Sequence, residues 1–171
     1  SRSKILAAAE ALVIEQGAGK LTLDAVAKRA GISKGGLIHN FPSKQKLLTA
    51  MVEQLIQSYE QRLADKVKQG AATPVDQFKA SLQVGMHFDA QFLKVSAGIL
   101  AAVSDEPQLL EPVRLWYKKH YEKLAHSQLD FPQAAILSLA TDGIYLLSLL
   151  GLLSLTDEQK HQVEQAILKI A

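Results

Sequence analysis

Between Ser33 and Lys44 the chain gathers residues suited to holding a polyanion: Ser33, Lys34, Gly35 and Gly36, then His39, Asn40 and Lys44. The segment opens small and polar. A helix starting there lets its backbone and its N-terminal amides come close to phosphates or base edges. Two glycines lower helix propensity by roughly 1 kcal/mol each, and a plain helical hairpin in a bundle gains nothing in return. A second chemistry is carried by rings. Trp116, Tyr117, His120 and Tyr121 recur on consecutive turns, and His87, Phe88 and Phe92 form another such group. Other chemistries are missing. The chain has no Cys, hence no thiol nucleophile, disulfide framework or Cys-ligated zinc. It has no His-Glu-x-x-His, no Gly-x-Ser-x-Gly and no phosphate loop. Glu158 and His161 have Glu-x-x-His spacing, but a di-iron bundle needs a second such pair and two further carboxylates. No catalytic residue, metal site or cofactor is expected, and the chain does not read as an enzyme.

Charge supports the polyanion reading. The whole chain of 171 residues carries a formal net charge of only +2. Residues 1–50, however, hold eight Lys or Arg against three acids, whereas residues 51–171 hold eleven against fourteen. The ends are thus +5 and −3, an asymmetry that points to a polyanionic partner for the first. Ser1–Ala9 shows no apolar run followed by a cleavage site, so no secretory signal is expected. The stretch Ala134–Leu153 is long and apolar with one formal charge, Asp142. An acid at mid-span is costly in lipid, so a helix buried in a core or a dimer seam is expected there, and no membrane span.

The apolar period is helical almost throughout, with no sustained alternation and no hairpin turn. The expected class is all-α, with about nine helices. Ile5, Leu6, Ala9, Leu12 and Val13 mark the first, ended by Gly17 and Gly19. Thr22 caps a short helix over Leu23–Ala30 whose apolar face is Val26, Ala27 and Ala30. Gly31 ends it in a left-handed turn. Ser33 then caps a second short helix, Lys34–Asn40. Phe41 returns to the core, and Ser43 caps a long helix from Lys44 to Lys68. Thr73-Pro74-Val75-Asp76 opens the next helix, with Phe78, Leu82, Met86 and Phe88 along it. Phe92 to Val103, Leu109 to Leu124, the apolar stretch after Asp130, and a last helix boxed by Thr156 and Gln159 complete the set. Two short helices joined by a Gly turn are a helix-turn-helix. The second is about 10 Å long at 1.5 Å per residue, which suits a major groove about 12 Å wide.

The run Ile5-Leu6, Ala8-Ala9, Leu12, Gly17, Thr22, Val26-Ala27, Ala30-Gly31-Ile32-Ser33-Lys34-Gly35, Leu37, Phe41-Pro42-Ser43-Lys44 and Leu47-Leu48 resembles the DNA-binding domain of TetR-family transcriptional regulators. The resemblance implies a DNA-binding domain over residues 1–48 and a helical ligand-binding and dimerisation domain over 49–171. It implies a cytoplasmic, homodimeric repressor of double-stranded DNA, released by a small-molecule effector. By position, Lys34 and Gly35 fall where bases or nearby backbone are met, and Thr22, His39 and Lys44 where phosphates are met. Ile38, His39 and Asn40 depart from the family, in which many members have Tyr, a second aromatic and His there. Ile38 is left to a thymine methyl or to packing, and Asn40 to phosphate or adenine. The ring groups, with Tyr145 and with Asp142 or a His as polar handle, become candidate walls of a ligand pocket. The stretch Asp142-Gly143-Ile144-Tyr145 resembles an Asp-Gly-Leu-Trp segment in some members. The dimer seam is expected on Leu139, Gly143, Leu146, Leu147 and Leu150, with Val163 and Ile167 of the last helix. Gly143 and Gly151 would let a partner helix approach. Two rival readings are an effector-independent DNA-binding accessory protein of the same fold, and a helical-bundle enzyme with an incidentally basic end.

Overall fold

The computed structural model describes residues 2–171; Ser1, at the head of the predicted DNA-binding domain and of the segment read for a signal, lies outside them. The apolar periodicities become nine α-helices and no strand among the described residues. They are α1 (Arg2–Gln16), α2 (Leu23–Ala30), α3 (Lys34–Asn40), α4 (Lys44–Lys68), α5 (Pro74–Met86), α6 (Ala90–Ala102), α7 (Glu111–Ala125), α8 (Phe131–Leu149) and α9 (Asp157–Ile170). Short 3-10 turns cover Ala18–Lys20 and Pro107–Leu110. No helix is long and apolar enough among these residues to cross a membrane.

The helix starts follow from side chains that accept the orphan amides of the first turn. Thr22 accepts from Ala25 N, Ser33 from Gly36 N and Ser43 from Lys46 N. Thr73 with Asp76, and Thr156 with Gln159, form complete capping boxes. Two ends need glycine. Gly31, at φ 62°, closes α2 with Ile32 N reaching back to the Ala27 carbonyl. Gly151, at φ 67°, closes α8 in the same way, with Leu152 N on the Leu147 carbonyl. Gly151 therefore has a role the sequence reading did not give it: it terminates a helix in a left-handed turn. A correction concerns α5, which stops at Met86. His87 is extended, and its Nδ1 meets the Gln83 carbonyl at 2.9 Å, so Phe88 lies on the linker to α6 and not on α5.

The helices group into two compact units. The first runs to Ile56 and takes in Ala90–Leu115, so the unit that holds α1–α3 extends well beyond residue 48. Its core joins Ile5, Ala9, Val13, Val26, Leu37, Phe41, Leu47, Leu48, Met51, Val95, Ile99 and Leu109. The second unit comprises Gln57–Asp89 and Trp116–Ala171, with a core of Phe78, Leu82, Leu124, Ala134, Leu137 and Ile167.

In the first unit α6 lies close against α1 because Gly98 has no side chain. A Cβ at Gly98 would fall 2.4 Å from Val13 Cγ1 and 3.5 Å from the Val13 carbonyl oxygen. Val13 is itself buried and β-branched, so it has little room to turn away. Near this contact Gln54 of α4 donates to Glu10 of α1 at 2.8 Å, and Gln91 of α6 also hydrogen-bonds Glu10. Gly98→Ala is expected to destabilise the protein by about 1–3 kcal/mol through overpacking. Urea unfolding measures this, and the double variant with Val13→Ala should lose less than the sum of the two single losses.

Candidate functional site

The helix-turn-helix has one buried and one open face. Val26, Ala27, Ala30, Leu37 and Phe41 are buried, while Ser33, Lys34, Gly35, Gly36, Ile38 and His39 are exposed. Space is open where a Cβ on Gly35 would stand, so the start of α3 presents backbone to whatever docks there. Thr22 is exposed beside its cap, and its hydroxyl keeps its proton for a second partner. Lys34 Nζ lies 2.9 Å from Asp24, with both side chains largely in solvent. Such a pair is worth little and is screened by salt, which leaves the ammonium available to a phosphate. Asn40 donates to the Gly36 carbonyl at 2.9 Å, keeping its own amide oxygen for another contact. Lys44 donates to the Gly19 carbonyl at 2.9 Å, so its ammonium is held beside the 3-10 turn. Two features of this region escape sequence reading. Arg29 makes two bonds to Glu15, at 2.6 and 2.7 Å, tying α2 to α1, and the Arg2 guanidinium lies over the Phe41 ring at 4.6 Å.

The second unit gathers most of the predicted rings. Trp116 stacks on His120 with centroids 5.1 Å apart and meets Tyr117 edge-on at 5.0 Å. Tyr121 contacts both Tyr117 and His120, and Phe88 meets Tyr145 at 4.8 Å. The member sequence reading missed is Tyr59 of α4, which touches Trp116 at 5.4 Å and Phe88 at 6.3 Å and donates to the Ser81 carbonyl. It sits in the apolar stripe of α4, where a Tyr reads as packing. Arg62, one turn on, lies over the Phe88 ring at 5.1 Å and donates to the His87 carbonyl. Phe92 falls on α6, in the other unit. His87 points to an open cleft of about 310 Å³ that it lines with Arg62, Lys66 and Gln83, and its Nε2 lies 3.5 Å from Glu164.

Asp142 is the charged member of this ring group. It is half-buried, and the Tyr117 hydroxyl donates to its carboxylate. Burial raises its carboxyl above the ordinary value, against the opposing effect of that hydrogen bond. Burial, then the Asp142 charge, pushes Tyr59 up to about 12 and raises Tyr121 as well. Tyr117 is raised further by the same two causes. Burial, then Lys123, lowers His120, whose Nε2 lies 3.4 Å from the Ser138 hydroxyl.

On α8 Leu139, Leu146 and Leu147 are exposed, as are Ile136 and the C-cap Leu150, and nothing stands within 4 Å of where a Gly143 Cβ would be. Val163 and Ile167 are placed otherwise: Ile167 is buried within its own unit's core with Val163 packed against it. The helical period that made them apolar on one face aims that face inward, and the exposed apolar member of α9 is Ile170.

The chain is similar to known proteins over both units. A sequence model described as "Bacterial regulatory proteins, tetR family" matches residues 5–51. One described as "Tetracyclin repressor-like, C-terminal domain" matches residues 77–171. The HTH-type transcriptional regulator BetI of Stenotrophomonas maltophilia (strain R551-3) is 28% identical over 156 residues, which is 85% of this chain and 79% of that protein. The HTH-type transcriptional repressor NemR of Escherichia coli (strain K12) is 28% identical over 106 residues, 62% of this chain and 53% of NemR. A crystal structure of a transcriptional regulator from Rhodococcus sp. Rha1 superposes with a TM-score of 0.76 at 21% identity, covering 99% of this chain and 95% of that one.

The Asp142 environment has a measurable consequence for stability. Its carboxyl is held above the ordinary 3.8 in the folded chain, so the folded state binds this proton more tightly than the unfolded state. The stabilising contribution is full below the ordinary value and is lost as pH rises through the raised folded one; at neutral pH the ionised group opposes folding. Asp142→Asn keeps an acceptor for Tyr117 and removes the charge. It is expected to raise the melting temperature at neutral pH, with the gain shrinking as pH falls to about 4. Circular dichroism melts at the two pH values check both the sign and its loss.

Proposed function

Because the chain belongs to the TetR family of transcriptional regulators, we propose that it is a dimeric repressor that leaves its operator when a small molecule binds residues of the second unit. Members of this family regulate transcription by binding DNA and are not enzymes. The observation that carries the reading is the two-faced α3: Leu37 and Phe41 anchor it, and Lys34, Gly35, Ile38 and His39 stand in solvent. We place Lys34 and Gly35 at base edges or nearby backbone, and Thr22, Ser33, His39 and Lys44 at phosphates. Ile38 and Asn40 take the remaining contacts in the groove. A repressor role is supported by the name of the relative NemR, and the proposed action on DNA supports a cytoplasmic location.

The division of labour follows residues 1–48 for DNA and 49–171 for ligand and dimer. The exposed Leu139, Leu146, Leu147 and Leu150 each lie three, four or seven residues from Gly143, so they share one face along α8 and its C-cap. A stripe of that kind needs a partner, and a second copy presents the same stripe in return. Two recognition helices related by the two-fold axis of such a dimer would enter successive major grooves of a pseudo-palindromic site. The effector acts by population shift: it binds better to the arrangement in which the two α3 helices are wrongly spaced. α4 is the continuous element in this step, since Lys44 begins it at the DNA-binding end and Tyr59 and Arg62 reach the ring group.

Two measurements test this reading. An operator is first selected from a random duplex library and its binding followed by fluorescence anisotropy across salt concentrations. Lys44→Ala should weaken binding to all duplexes and reduce the salt slope by about 1; unchanged affinity and slope would remove Lys44 from the phosphate contacts. In sedimentation velocity the native chain should run as a dimer, and the double variant Leu139→Glu with Leu147→Glu as a monomer. A native monomer at micromolar concentration would refute the seam.

A further inference from the structure

Asp142 is a carboxylate among rings, and its charge is not balanced by the surrounding side chains. Among the described residues its polar partner is the Tyr117 hydroxyl, and none of the ion pairs involves it. Three cationic or imidazole side chains of this unit are engaged elsewhere. Arg62 is turned to the His87 carbonyl and the Phe88 ring, and His87 is turned to Glu164. His120 stacks on Trp116 with Nε2 toward Ser138. A carboxylate removed from water without a compensating charge is unfavourable, and such groups cluster at binding sites more than in ordinary cores.

The rings around it present faces and edges of known polarity. Aromatic faces are negative and attract cations, the attraction grows when the cation is desolvated, and an alkylated ammonium gives up its water more readily than a bare one. The structure already shows one of these rings holding a cation, since the Arg62 guanidinium lies 5.1 Å from the Phe88 centroid. An anionic ligand would meet the Asp142 charge. A neutral ligand can donate a hydrogen bond to the carboxylate, as Tyr117 does, but leaves its charge uncompensated. A cation satisfies both the carboxylate and the ring faces.

Resting on the reading of this ring group as the effector site, we propose that the effector is an organic monocation with an alkylated ammonium head. Its charge is met by Asp142, and its alkyl groups lie on the rings of Tyr59, Phe88, Trp116, Tyr117 and Tyr145.

Trp116 is the single Trp of the chain and touches Tyr59, Tyr117 and His120, so its emission reports on the site without a label. The probes are meta-hydroxyphenyltrimethylammonium, its neutral carbon isostere meta-tert-butylphenol, and the anion meta-hydroxybenzoate. Each is titrated into the full chain by Trp emission and by calorimetry. The expected result is saturable binding of the cation, with the neutral isostere weaker by about tenfold or more and the anion weaker still. Asp142→Asn should weaken the cation by about tenfold or more and leave the isostere unchanged. A melting temperature at or above that of the native chain rules out misfolding as the cause of that loss. Equal binding of cation and isostere, indifferent to Asp142→Asn, would overturn the cation assignment while leaving the ring group as an apolar effector site. Failure of all three probes to alter Trp emission or release heat would overturn both.

Discussion

A helix of seven residues containing two glycines does not hold itself in water, and α3 is held by two side chains. Leu37 and Phe41 are buried almost completely, and Ser33 supplies the missing acceptor at the first turn. Everything presented to a DNA groove depends on that anchorage, because the outer residues of α3 contribute nothing to the core. The anchorage in turn depends on α1, whose Ile5, Ala9 and Val13 share the same cluster, and on α6, which comes close to α1 through Gly98. The reading head is thus a short element of low intrinsic stability fixed by burial, which leaves small residues free to face the ligand.

The second unit shows the opposite economy. Its core is small, and several of its ring residues are only half-buried. Within that setting Asp142 and Tyr117 form a polar pair that burial disfavours. Stability alone would favour an uncharged side chain of the same shape. A charge held at such a cost distinguishes this ring group from an ordinary packed aromatic cluster. The apolar stripe on α8 has the same character on the outside: large exposed apolar residues gathered on one face of one helix.

The first 50 residues were legible because their signals are local. Thr22, Ser33 and Ser43 cap the helices that follow them, and Gly31 takes the left-handed turn. Each is an interaction between residues no more than five apart, so type and spacing suffice. The two capping boxes, at Thr73 and Thr156, were legible for the same reason. The stop at Gly151 was missed because a glycine at the end of an apolar run serves a helix stop and a close approach equally well in sequence. The bond from Leu152 N to the Leu147 carbonyl identifies the stop. Val163 and Ile167 failed differently: an apolar period says that a face is buried, but not against which surface.

What the sequence by itself determined is the helical class, the helix-turn-helix and the charge asymmetry, all of which follow from backbone capping, periodicity and counting. What only the tertiary structure decided is which distant residues meet. Tyr59 joins Trp116 and Phe88, Gly98 admits Val13, Lys44 reaches Gly19, and Asp142 accepts from Tyr117. Those pairings depend on how helices far apart in the chain pack, and packing is a property of three-dimensional shape that no local spacing encodes.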